Sequence, residues 1–170
     1  QNKLIKSKNG VYGLPNPNRV LKTAVLNTDD AVNKKYIKND RGVVIGYRSG
    51  FYIANALRLT TQTTSDLEIY SNEVSKKKRT VFIKNLRVII NKARVEVTND
   101  NYRLLQILDL LIDFRKYSEF SLKDAKKTIS DYLNGLKLDE DEIESIVSKY
   151  PKDAQIEFYK IGGTYAFTHQ

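Results

Sequence analysis

Two hydrophobic periods run through this chain, and the change from one to the other falls near its middle. Up to about residue 97 the apolar residues come in short bursts between turn formers. Leu67 and Ile69 alternate with Asp66, Glu68 and Tyr70, and Val81 and Ile83 form another such burst, the period of a strand with one face buried. Beyond Asn101 the apolar residues Leu104, Leu105, Leu108, Leu111 and Ile112 recur at three- and four-residue intervals, which places them on one face of a helix. The pattern predicts an α+β fold: an N-terminal basic β-hairpin, a small antiparallel sheet packed by helices, and a helical C-terminal half.

Turn chemistry divides the first half more finely. Lys3 to Leu14 reads as two short strands around Asn9-Gly10, a pair that favours hairpin turns, and Pro15 and Pro17 stop them. Residues 16–27 hold proline and asparagine without a sustained period and form a connection, so the chain divides into a hairpin over 1–15, that connection, and one body over 28–170. A helix follows from Thr28, with Asp29 and Asp30 in its first turn, to Asn39-Asp40. Phe51, Ala54 and Leu57 mark a short buried helix, the run Thr60 to Ser65 a loop, and Leu67 and Ile69 a strand. The basic run Ser75-Lys76-Lys77-Lys78-Arg79 then leads to the strand around Val81, and Lys84-Asn85 turns it into Leu86 to Ile90, giving at least three antiparallel strands.

The second half reads as successive helices. Ser121 with Asp124 forms a cap ahead of Leu122, Ala125, Ile129 and Leu133, and Asn134-Gly135 ends that helix. Asp139-Glu140-Asp141-Glu142 opens the next, where four acids suit the positive end of the helix dipole better than they suit a metal. Pro151 starts a last helix through Ala154 and Phe158, closed by Gly162-Gly163.

Composition narrows the chemistry. The 170 residues support one core with a small appendage. There is no cysteine, which removes disulfides and thiolate metal sites, and the single histidine, His169, lies one residue from the end. No apolar run approaches the roughly 18 residues that span a bilayer, so a cytoplasmic protein without a membrane partner is expected. The net charge of +9 is uneven: Ser118 to Glu157 carries six lysines and ten carboxylates, a net of −4, and leaves +13 for the rest. Such separation points to a polyanion-facing N-terminal part and a solvated helical part. Within it, Lys3, Lys6 and Lys8 crowd the hairpin, and Lys76, Lys77, Lys78 and Arg79 form the densest basic cluster. These seven are the candidate contacts to nucleic acid or an acidic partner.

A catalytic alternative rests on Asp66 and Glu68. Period two aims both carboxylates to one side of their strand, the arrangement by which a minimal nucleotidyltransferase holds Mg²⁺ after a Gly-Ser turn, and Lys84 would complete a nuclease-like set. Here the turn is Ser49-Gly50, in reversed order and at a longer separation. A plain protein-interaction module built on the helical half is the other alternative.

Taken whole, Gly46-Tyr47-Arg48-Ser49-Gly50, the apolar helix after it, Leu59-Thr60-Thr61-Gln62 and the strand ending in Glu68-Ile69-Tyr70-Ser71-Asn72 resemble the AbiEi family of antitoxins and transcriptional regulators. Downstream, the hairpin from Arg79 to Ile90, the segment Ala93 to Thr98, the leucine-rich helix through Leu110, and Tyr150-Pro151-Lys152 with Gly162-Gly163 extend the resemblance over nearly the whole chain. It implies a non-enzymatic part of a type IV toxin–antitoxin system used in abortive infection and phage defence, with no cofactor and no metal. A winged helix preceding this region would bind operator DNA and repress its own operon. The C-terminal domain would counter a nucleotidyltransferase toxin without forming a stable complex with it. The chain opens at Gln1 with no room for the three helices of a winged helix, so residues 1–15 correspond under the resemblance to its wing, with Lys3, Lys6 and Lys8 along the phosphate backbone.

Overall fold

A computed structural model describes residues 5–6, 12–13, 28–75, 78–83 and 85–163. The first two strands, β1 (Ile5–Lys6) and β2 (Tyr12–Gly13), pair antiparallel with Lys6 opposite Tyr12, as the turn signal between them requires. Lys3 and Lys8 lie outside the described residues, as do Lys76, Lys77, Lys84 and His169.

Helix α1 (Thr28–Val32) runs directly into a π-helical turn over Asn33–Ile37 and stops at Lys38, just short of the expected end. After it come β3 (Gly46–Arg48), α2 (Phe51–Ala56), β4 (Asp66–Ser71), β5 (Lys78–Ile83) and β6 (Leu86–Lys92). These four strands make one sheet in the order β3-β4-β6-β5. Its outer pairings are antiparallel, but the central pair β4 and β6 is parallel, with Leu67 opposite Val88 and Ile69 opposite Ile90. The expected all-antiparallel sheet is corrected there, and the sequence holds the reason. Leu86 to Ile90 carries Val88 and Ile90, both fully buried beside Leu67 and Ile69, whereas β5 opens with Lys-Arg-Thr and keeps to the edge, where charge discourages further pairing.

One face of this sheet, with Leu67, Ile69, Val88, Ile90 and Ile83, packs under Ala31, Val32 and Tyr36 in a small core of its own. The larger core lies beyond the other face. There α3 (Tyr102–Ile112) runs through the centre of the helical half, with α4 (Phe114–Tyr117), α5 (Leu122–Leu133), α6 (Glu140–Val147) and α7 (Lys152–Lys160) around it. Every residue from Leu104 to Leu111 is buried, so α3 is enclosed on all sides and not merely along the leucine stripe. The expected caps form. Ser121 Oγ accepts from the Asp124 amide, and Asp139 and Glu142 make a reciprocal capping box at 2.8 and 2.9 Å. Among the described residues no helix is long and apolar enough to cross a membrane.

Gly46 shows how closely the sheet and the π-turn approach. A Cβ there would sit 2.1 Å from the Tyr36 carbonyl oxygen and 2.6 Å from that of Tyr70, both backbone atoms that cannot step aside. Gly46→Ala is therefore expected to destabilise the protein by about 3 kcal/mol, the upper end of ordinary overpacking. Gly42→Ala, in open space at φ +77°, should cost only the roughly 1 kcal/mol of a left-handed backbone. Urea midpoints of the two variants test the contrast, and equal losses would contradict this reading of the close approach.

Candidate nucleic-acid interface

The basic run before β5 does not stand alone in space. Strand period two sends Lys78 and Arg79 to opposite faces of β5, and Arg79 turns toward the small core. Its Nη2 donates to the Tyr36 hydroxyl at 2.8 Å, and its guanidinium lies 5.9 Å from the Tyr36 ring centre. The Lys35 ammonium reaches the same ring at 5.6 Å, and Lys34 beside it is exposed. One buried tyrosine thus gathers cations from two segments 43 residues apart. Attraction of two cations to one ring offsets part of their mutual repulsion.

Of the seven contacts predicted from sequence, the structure describes the side chains of Lys78 and Arg79, both exposed. It describes Lys6 as a strand residue and leaves Lys3, Lys8, Lys76 and Lys77 outside the described residues. Arg79 is held against Tyr36, so it belongs to the fold as well as to the surface. Sequence reasoning missed Lys34 and Lys35 because the π-turn has no composition signal. A lysine pair one helical turn past a helix-opening acid pair was the available hint.

The carboxylates of the catalytic alternative lie on one face, as their spacing requires, but both have protein partners. Asp66 Oδ2 receives Arg87 at 2.6 Å. Glu68 accepts from Asn91 at 3.2 Å and from the Tyr117 hydroxyl at 3.3 Å. The Ser49-Gly50 turn does come close: the Ser49 amide donates to the Glu68 carbonyl at 2.9 Å, and a Cβ on Gly50 would lie 3.0 Å from Glu68 Oε2. That proximity packs the turn against the acid and leaves little room between them. Among the described residues no group of three or more histidine, cysteine and carboxylate side chains is placed to hold a metal.

A second polar cluster, unforeseen from sequence, joins the sheet to the helical core. Asp109 of α3 accepts a hydrogen bond from the Tyr47 hydroxyl of β3, and the Arg94 guanidinium stands 4.0 Å from its other oxygen. Tyr70 stacks on Tyr47 at 5.5 Å, and the buried Tyr150 hydroxyl shares the pocket. Burial raises the Asp109 carboxyl from 3.8 to about 7 against the opposing pull of Tyr47 and Arg94, and burial likewise raises Tyr47 and Tyr150 well above the usual phenol range. The signal in the sequence was a lone acid inside a run of leucines.

No family model, no curated protein and no solved structure matches this chain.

Because the folded carboxyl of Asp109 holds its proton more tightly than the unfolded one, folding is favoured most below the unfolded value. That advantage is lost as pH rises from about 4 to about 7. Asp109→Asn removes the titration. The stability of the parent relative to this variant should fall steadily across that window and level off above it, as read from denaturant midpoints at half-unit pH steps. A pH-independent difference would contradict the buried, proton-holding carboxyl.

Proposed function

We propose that this chain is the effector part of an AbiEi-like antitoxin and transcriptional regulator, a cytoplasmic, non-enzymatic protein that works against a nucleotidyltransferase toxin and lies close to nucleic acid. The observation that carries this reading is the convergence of Lys35 and Arg79 on Tyr36, with the exposed Lys34 next to Lys35 in sequence. It builds a cationic edge on the part of the chain that holds the excess positive charge, next to the segment 46–72 on which the resemblance rests. Commitment of Asp66 to Arg87, and of Glu68 to Asn91 and Tyr117, supports a structural use of the two acids over a catalytic one. Operator recognition belongs, in this reading, to a winged helix preceding the chain. Contacts made by the present residues run to phosphates and carry no base sequence.

Fluorescence titration of a labelled 16-base-pair duplex tests it. Lys34→Glu combined with Lys35→Glu should weaken binding at least tenfold at low salt and make the slope of log K against log salt shallower by about 2, one for each phosphate no longer neutralised. Lys149→Glu, an exposed lysine of the helical half, should change affinity less than twofold. In cells carrying the whole protein and the adjoining toxin, the double variant should lose rescue from toxicity or operon repression at unchanged melting temperature. Unaltered binding and unaltered rescue together would overturn the proposal.

A further inference from the structure

The acidic helical half conceals a basic groove. Between the end of α3, α4, the start of α5 and α7 lies an open cavity of about 1060 Å³. Its floor is apolar, formed by Leu111, Phe114, Leu122 and Ile161, and at its lip Phe120 is 50 % exposed. Its walls carry Arg115, Lys116, Lys123, Lys126 and Lys160 against three carboxylates, of which Glu157 is already paired to Lys160 at 2.6 Å.

Composition hides this, because the surrounding segment is net negative. The structure shows how the signs separate. On α5 the carboxylates are engaged locally, Asp124 with the Ser121 hydroxyl at 2.6 Å and Asp131 with Lys127 at 2.7 Å. Lys123 and Lys126, three residues apart, stand together on the groove wall and make no ion pair among the described residues. Two of the acids that open α6, Asp141 and Glu142, line a different cavity, with Asn101 and Lys137.

We propose that this groove docks an acidic, amphipathic segment of a partner protein. Leucine-sized or aromatic side chains would fill the apolar floor and stack beside Phe120, while aspartates or glutamates on the flanking positions would meet Lys123, Lys126 and Arg115. Aliphatic side chains dominate the floor and Asp113 and Asp153 stand among the cations, which favours a peptide of mixed polarity over a nucleic-acid strand, whose evenly spaced phosphates would meet those acids. The inference does not rest on the nucleic-acid reading of the Tyr36 surface, since the two share no residue.

Selection of displayed random 12-residue peptides against the full chain tests it. The enriched peptides should combine aspartate or glutamate with leucine or phenylalanine. Synthesised and titrated singly, they should bind the parent at least tenfold more tightly than Lys123→Glu/Lys126→Glu, with Phe120→Ala intermediate and all three proteins melting alike. Exposed lysines on a helix surface make that double variant safe for folding. No enrichment, enrichment without acids, or binding indifferent to the double variant would overturn the proposal. So would a 12-nucleotide oligonucleotide that binds tightly and loses affinity in the same double variant, which would assign the groove to nucleic acid.

Discussion

A carboxyl in the middle of a helix buried on every side is costly to desolvate, and the hydrogen bond that one oxygen of Asp109 accepts, while its other oxygen is buried without one, ties the two halves of this protein together. Its hydrogen bond comes from Tyr47, on the edge strand of the sheet, and its nearest cation is Arg94, on the segment leading from β6 to α3. One turn earlier, Gln106 donates to the Arg48 carbonyl at 2.8 Å and accepts from Tyr132 of α5. Two buried polar residues on α3 therefore fix β3 against it in position and register, since sliding either element would strand a polar group in an apolar core. Once β3 is placed, β4 follows from its antiparallel register, and Gly46 allows the Tyr36 carbonyl to approach. From the other side, Arg48 binds Asp29 and Asn33, each at 3.1 Å, so the short α1 and its π-turn are held by the same strand that holds α3.

The parts legible in the sequence were those written in local period and local chemistry. The caps at Ser121 and Asp139, the helices behind them, the burial of Leu67 and Ile69, and the separation of a sheet-forming half from a helical half all follow from spacing and turn residues. What escaped was set by pairing at a distance. The sequence shows that Leu86 to Ile90 is a strand but not that it slips between β4 and β5. That choice depends on a parallel pairing between segments distant in sequence, which no local period encodes. The candidate surface was half legible for the same reason. Lys78 and Arg79 announce themselves as a charge run, whereas Lys35 joins Arg79 only because Tyr36 is buried where Arg79 can reach its hydroxyl.

Charge placement connects this architecture to function. Around Tyr36 the fold gathers cations from the basic half, and on the helical half it sorts lysines toward one groove while engaging the α5 acids with neighbours on the same helix or its cap. The two basic surfaces rest on separate cores, so a substitution at one leaves the electrostatics and packing of the other intact.

The most direct measurement is a map of backbone amide shifts when an unlabelled 12-base-pair duplex of arbitrary sequence is added to isotope-labelled protein at low salt. The expected changes cluster at Lys34, Lys35, Lys78 and Arg79 with their strand and turn neighbours, and vanish on raising the salt. Shifts centred instead on Asp66 and Glu68, or a spectrum unchanged by the duplex, would contradict the assignment of the Tyr36 surface to nucleic acid.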